Sequence, residues 1–143
     1  KIEKNVKELI KEEEKFGIKD FKTYQDFGEK VYKIRENVIK NLKILKKNKE
    51  TIVGYGAPAK ATTALNFFGI SKEIDYIVED NKMKHNKFVP GVKIPIYSKD
   101  KILKKKPLVL VLAWNFFKEI KKNNPEIAKD FINIKSLESE NFI

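Results

Sequence analysis

The sequence predicts an α/β fold, a Rossmann-like three-layer parallel sheet of about four to five strands preceded by one or two helices. From residue 51 onward, short apolar runs alternate with segments of helical periodicity, which favours parallel strands joined by right-handed crossovers. A strand, a glycine turn and a helix follow one another directly in residues 51–69. The unbroken apolar run of residues 108–112 is typical of a strand that is buried on both faces.

Length and composition fit a single cytoplasmic domain. The 143 residues suffice to bury a core, and the absence of cysteine excludes disulfides and thiolate zinc sites. No apolar run reaches the roughly 18 residues that a membrane span needs, so we expect no membrane partner. The first residue is not methionine, and we expect the chain to be a fragment of a longer protein.

The net charge of +11 does not by itself indicate nucleic-acid binding. Arg35 is the only arginine, whereas base edges and phosphate groups are contacted preferentially by arginine. The lysines are spread along the chain, so we expect no nucleic-acid partner. The excess positive charge would still attract a small polyanionic ligand.

Residues 1–50 predict a helical segment that packs on, or links to, a Rossmann-like domain of residues 51–143. The first helix is predicted over residues 1–16, with Gly17 as the left-handed residue that ends it. The second is predicted to begin near Thr23 or Tyr24, and its apolar residues recur three or four positions apart up to Leu45.

The central stretch predicts a ligand site. Ile52 and Val53 begin a buried strand, and Gly54 and Gly56 let the backbone turn sharply and approach a ligand closely. Pro58 suits the start of the following helix, whose free amides would face a phosphate. A tight turn without a ligand explains the same glycines.

Lys60 places a cation in the first turn of this helix, where the helix dipole disfavours it. An anion bound at the same place would compensate. The alternative is a lysine side chain that bends into solvent.

An acidic pair follows the second predicted strand, residues 74–78. Glu79 and Asp80 lie about twenty positions beyond the glycine turn, where Rossmann domains hold ribose hydroxyls. The alternative is an Asx turn that ends the strand. His85, the only histidine, has no partner in metal-ligand spacing and is predicted to be a solvated loop residue.

The remaining segments complete the predicted sheet. Residues 92–96 contain Pro95, which cannot donate to a strand ladder, so they predict an edge strand or a loop. Ser98 is predicted to cap a short helix through residue 103, and residues 131–134 predict a last strand, while the tail is unassigned.

Trp114 and Asn115 follow the buried run of residues 108–112, level with the glycine turn. They could stack on and hydrogen-bond a ligand. Alternatively, Trp114 could fill a gap in the core and Asn115 could be the N-cap of the following helix, and neither role needs a ligand.

The order of these motifs resembles the C-terminal domain of SAM-dependent C-methyltransferases that act on nucleotide-linked deoxysugars. The resemblance rests on Gly54-Tyr55-Gly56-Ala57-Pro58-Ala59-Lys60, Glu79-Asp80-Asn81 with Lys84, Pro90-Gly91 with Ile94-Pro95-Ile96, and Trp114-Asn115 with Glu119-Ile120. It implies a chain that holds the nucleotide-linked sugar and adjoins a preceding methyltransferase domain. SAM and zinc would be bound only by the preceding domains, so we expect no cofactor in this chain.

The resemblance also implies the substrate-binding residues. The turn amides and Lys60 would face the phosphates or another bound anion. The acidic residues would shape the floor of the pocket or hold a hydroxyl, and Trp114 and Asn115 would border the ligand or the neighbouring domain. The predicted set is Gly54, Tyr55, Gly56, Ala57, Pro58, Ala59, Lys60, Glu79, Asp80, Asn81, Lys84, Trp114 and Asn115. No residue is predicted to be catalytic and none to bind a metal.

Three other interpretations remain open at this stage. The chain could be a stand-alone nucleotide-sugar-binding module, like those that precede the β-helix of amino-sugar acetyltransferases, although no such repeat follows here. It could be an NAD-binding domain, or a structural domain without a ligand.

Overall fold

The computed structural model describes residues 3–48, 51–102 and 106–142. The α/β class and the two N-terminal helices are confirmed. The described part of the chain contains six strands in one mixed sheet, so the expectation of a purely parallel sheet with fewer strands is wrong.

The chain divides into two compact units, one ending at Ile34 and one beginning at Arg35. The first holds α1 (Lys4–Phe16) and the beginning of α2 (Phe21–Lys47). Gly17 ends α1 in the left-handed region at φ 83°, as predicted, and its amide donates to the carbonyl of Glu14. The predicted start at residue 1 lies outside the described residues.

The sheet forms the centre of the second unit. Its strands are β1 (Ile52–Tyr55), β2 (Tyr76–Val78), β3 (Lys87–Phe88), β4 (Pro95–Tyr97), β5 (Leu108–Val111) and β6 (Asp130–Asn133). The spatial order is β3-β4-β2-β1-β5-β6, and all neighbours are parallel except β3 and β4. The chain therefore crosses to the other side of β1 when it enters β5, which makes a topological switch point between those two strands.

The outer part of the sheet differs from the prediction. β4 is not an edge strand, because it pairs with β2 on one side and with β3 on the other. Pro95 is tolerated there because it is the first residue of the strand. The edge is β3, whose two exposed residues carry no apolar alternation that the sequence could have revealed.

Helix α3 (Ala59–Phe68) follows the glycine turn as predicted. Pro58 occupies its N-cap position, and Gly69 ends it at φ 69°. Its buried face contains Ala61, Leu65 and Phe68, which is the face that the apolar spacing predicts.

The second half of α2 is fixed to the end of the described chain. Val38 and Leu42 are fully buried. The amide of Asn41, itself 2% exposed, donates to the carbonyls of Leu137 and Ser139, at 2.9 Å each. The strand predicted over residues 131–134 is β6, which ends one residue earlier. Ile134 and the first residues of the unassigned tail form a short 3-10 helix, Ile134–Glu138, which is held against α2.

Two further elements complete the unit. Ser98 caps the short 3-10 helix Lys99–Lys101 as predicted, whereas residue 103, the predicted end, lies outside the described residues. Helix α4 (Phe117–Asn123) precedes β6. No helix in the described ranges is both long and apolar enough to cross a membrane.

Gly54 is required by the packing of the sheet. A Cβ at this position would lie 2.8 Å from Cγ1 of Ile77 and 2.9 Å from Cδ1 of Leu112, and both of those residues are fully buried. The close approach predicted for Gly54 is therefore made to core side chains.

We expect Gly54→Ala to lower the free energy of unfolding by about 1–3 kcal/mol, because the core must shift to admit the methyl group. Urea denaturation measures the change. Gly28→Ala is the matched control, since a Cβ there meets nothing within 4 Å and alanine favours the helix. Equal stability of Gly54→Ala and the unsubstituted chain would contradict this account.

Candidate functional site

A cleft of about 520 Å³ opens where β1 and β2 end and the segment after β5 begins. This is the switch-point edge of the sheet, where open α/β folds bind ligands. The lining residues come from the glycine turn, the end of β2, the Lys99 turn and α4: Tyr55, Gly56, Pro58, Glu79, Asp80, Lys84, Lys99, Ala113, Phe116, Glu119, Ile120, Asn123 and Asn124.

The glycine turn is held against the neighbouring strands. The amide of Gly56 donates to the carbonyl of Val78 at 2.8 Å, which joins the end of β1 to the end of β2. Gly56 has φ 85°, and an added Cβ would lie 2.9 Å from that of Ala113. Only glycine therefore fits both the backbone conformation and the space.

Glu79 closes the same turn from the other side. Its Oε2 accepts a hydrogen bond from the amide of Ala57 at 2.9 Å, and its Oε1 accepts one from the amide of Asn81 at 3.1 Å. Nζ of Lys84 lies 3.2 Å from Oε2 and also donates to the carbonyl of Ala57 at 3.0 Å. The Glu79 side chain is only 14% exposed.

These contacts set the charge of Glu79. Burial raises the pKa of its carboxyl, but the amides of Ala57 and Asn81 and the ammonium of Lys84 outweigh burial, so the net pKa is below its usual range. Glu79 is ionised at neutral pH.

A second group of polar side chains faces the open part of the cleft. The Tyr55 hydroxyl donates to Oδ2 of Asp80 at 2.8 Å. Nζ of Lys99 lies 3.8 Å from Oδ1 of Asp80 and 3.5 Å from Oδ1 of Asn124. Burial, followed by the adjacent Asp80, raises the pKa of Tyr55 far above its usual range. The phenol therefore stays protonated and remains a donor at neutral pH.

Two predicted site residues pair with each other outside this cleft. Nζ of Lys60 lies 4.4 Å from the centre of the Trp114 ring, within range of a cation–π interaction. Trp114 lines a separate hollow of about 50 Å³ with Ala64 and Phe68.

The other predicted residues have local positions in the backbone. Asn115 is exposed in the 3-10 turn Trp114–Phe116, and the N-cap role considered for it is wrong because Ala113 and Phe116 occupy the cap positions. Ala59 begins α3. The side chain of Asn81 accepts from the amide of Met83, which forms the Asx turn considered for this segment.

His85 is not a solvated residue, contrary to the prediction. It is half-buried, and its Nε2 lies 2.6 Å from the carbonyl oxygen of Glu79, so Nε2 carries the proton and donates. Across the described residues, no group of His, Asp and Glu side chains is arranged to hold a metal ion.

Several lining residues were not predicted from the sequence. Lys99, Phe116, Asn123 and Asn124 are the main ones, and Glu119 and Ile120 had been noted only as part of the family pattern. Asn124 is 4% exposed, and its amide donates to the carbonyl of Ile120. In the sequence, Asn124 stands directly before Pro125, a position that is typical of the end of a helix. That position does not predict that the side chain is buried in a cleft.

We expect Glu79→Gln to lower the free energy of unfolding by about 1.5–3 kcal/mol at pH 7, because charge-assisted hydrogen bonds are lost. The folded-state pKa of Glu79 is depressed, so its stabilisation is fully present above the unfolded pKa of about 4.3. It is lost as the pH falls through the folded pKa. Denaturation of both proteins between pH 7 and pH 3 should therefore show the difference shrinking in acid.

Glu119→Gln is the control for this measurement. Among the described residues, the side chain of Glu119 makes no hydrogen bond or ion pair, although it lines the same cleft. A similar loss of stability in both variants would mean that the network around Glu79 is not its source.

Known proteins place the chain in a family. Residues 1–133 match the family described as C-methyltransferase C-terminal domain. The C-methyltransferase NovU of Streptomyces niveus is 30% identical over 127 residues, which cover 87% of this chain and 30% of that protein. The chain thus spans about a third of the length of this curated relative. The resemblance predicted from the motifs is confirmed, and the chain belongs to the C-methyltransferase C-terminal domain family.

Proposed function

We propose that this domain holds a nucleotide-linked sugar for a SAM-dependent C-methylation that another part of a longer polypeptide carries out. The single observation that carries the proposal is the cleft at the switch point of the sheet. Its volume of about 520 Å³ falls in the range of pockets that bind small molecules.

The groups in the cleft suit a ligand that bears hydroxyl and phosphate groups. The side chain of Asp80 is 62% exposed, so its oxygens can accept hydrogen bonds from sugar hydroxyls. Tyr55 donates to Asp80 and thereby orients it, and Asn124 adds an amide at the back of the cleft. Lys99 supplies a half-exposed cation for a phosphate.

The same groups argue against proton abstraction by this domain. Glu79 is bonded to two amides and to Lys84, and Tyr55 is held in its protonated form. Neither is suited to act as a general base near neutral pH. We therefore assign the base, SAM and zinc to the part of the polypeptide outside this chain, and no cofactor to this chain.

Exposed apolar side chains of the first unit support the proposal that this chain contacts another domain. Val6, Leu9 and Ile10 on α1 are each more than 40% exposed, and Phe16 and Phe21 are 74% and 82% exposed. Large exposed apolar surfaces mark interaction sites. We propose the preceding methyltransferase domain of the same polypeptide as the partner, in the cytoplasm, with no nucleic acid and no membrane involved.

Backbone amide shifts during titration with TDP- and UDP-sugars, NADH and SAM test the ligand. We expect saturable shifts at Tyr55, Asp80, Lys99 and Asn124 with a nucleotide-linked sugar and none with NADH or SAM. Shifts of the same amides with NADH alone would favour a dinucleotide-binding domain. The absence of shifts with both nucleotide-linked sugars would contradict binding by this chain.

We expect Tyr55→Phe to weaken binding of the nucleotide-linked sugar about tenfold, because Asp80 loses the hydrogen bond that orients it. Tyr76→Phe is the matched control. Tyr76 begins β2, at the end of that strand opposite to the cleft, so its hydroxyl should not affect affinity. Equal affinities of the two variants would contradict the role of Tyr55.

A further inference from the structure

The amides of the glycine turn are already engaged within the chain. The amide of Gly56 donates to Val78, and the amide of Ala57 donates to the carboxylate of Glu79. In Rossmann domains that bind dinucleotides, amides at this point face a phosphate of the ligand. Here a negatively charged group of the protein lies in that place.

Several contacts hold this internal carboxylate in position. Besides the amides of Ala57 and Asn81, Lys84 donates both to Oε2 of Glu79 and to the carbonyl of Ala57. The backbone of Glu79 is also fixed, because its amide donates to Tyr97 and its carbonyl accepts from His85. Displacing the carboxylate would break charge-assisted hydrogen bonds on several sides.

We infer that Glu79 is a specificity-determining residue whose carboxylate replaces a ligand phosphate at the glycine turn, so that the phosphates of a bound ligand lie elsewhere in the cleft. A phosphate at the turn would meet a like charge within hydrogen-bonding distance of the same amide. Ligands that depend on these amides, as dinucleotides do, are thereby rejected. The inference rests on the proposed function, in which the cleft receives a phosphate-bearing ligand.

Of the described residues that line the cleft, Lys84 and Lys99 are the lysines, and Lys99 shows where a phosphate would bind instead. The ammonium of Lys84 already donates to the carboxylate of Glu79 and to the carbonyl of Ala57. Lys99 is 50% exposed, and its nearest acidic oxygen, on Asp80, is 3.8 Å from Nζ. A phosphate on the Lys99 side of the cleft would gain this cation without displacing Glu79.

Titration with inorganic pyrophosphate tests the inference without any sugar. Amide shifts of Gly56 and Ala57 are followed in the unsubstituted chain, in Glu79→Ala and in Glu119→Ala. Both substitutions remove one carboxylate that lines the cleft, but only Glu79→Ala frees a turn amide. The Glu119 variant therefore controls for the change in net charge.

We expect saturable shifts at Gly56 and Ala57 only in Glu79→Ala, with an apparent affinity at least about tenfold above that of the other two proteins. Saturable pyrophosphate shifts at Ala57 in the unsubstituted chain would overturn the inference. Equal behaviour of the two variants would overturn it as well, since charge alone would then account for the gain.

A measurement on the unsubstituted chain covers the case in which Glu79→Ala does not fold. The amide proton of Ala57 should titrate in acid together with the side-chain carboxyl carbon of Glu79, because the two groups share a hydrogen bond. An Ala57 amide that does not follow Glu79 would overturn the inference. These experiments use no nucleotide-linked sugar. A failure of the proposed function would therefore show separately, as the absence of amide shifts in the titrations with nucleotide-linked sugars.

Discussion

The hydrogen bonds of Glu79 hold together the edge of the sheet on which the site is built. Its carboxylate binds the turn after β1 and the loop after β2, and its backbone amide binds the last residue of β4. Three strand ends are thus aligned by one residue. Parallel strands set only the spacing of such ends, whereas the loops that follow them need contacts of their own to keep one conformation.

These contacts divide the cleft into two parts of different character. Around Glu79, donors and acceptors are matched within the protein, which makes that part rigid and poorly available to a ligand. Around Asp80 and Lys99 the side chains are at least half exposed and their ion pair is long, at 3.8 Å. Exchange of protein contacts for ligand contacts costs least there, because exposed ion pairs contribute little to stability.

Local patterns predicted those elements that local physics determines. The spacing of apolar residues predicted the helices, and Gly17 predicted the end of α1. The apolar run of residues 108–112 predicted the buried strand β5. The acidic pair after β2 does line the cleft. The two-residue strand β3 carries no local pattern, because its existence depends on pairing with β4. Membership of the C-methyltransferase C-terminal domain family was indicated by the order of motifs and not by any catalytic arrangement of residues.

The rest of the site depends on contacts between distant residues, which a single sequence does not reveal. Lys60 and Trp114 were each considered as ligand contacts or as residues without a ligand. They lie against each other, although 54 positions separate them in the chain. Neither Lys99 nor Asn124 was predicted from the sequence to be a site residue. Folding brings Nζ of Lys99 to 3.5 Å from Oδ1 of Asn124 in one cleft. The burial of Asn124 there is not indicated by its neighbours in sequence.

The attachment of α2 to the end of the described chain has a consequence for the order of folding. Asn37 and Asn41 bond to carbonyls 96 to 101 positions away, so these contacts have a very high sequence separation. Contacts of that separation are costly to form early, since a long loop must close first. During synthesis, the buried amide of Asn41 cannot find its partners until residues 137–139 have left the ribosome. The hydrogen bonds that fix this part of α2 are therefore among the last contacts of the second unit to form.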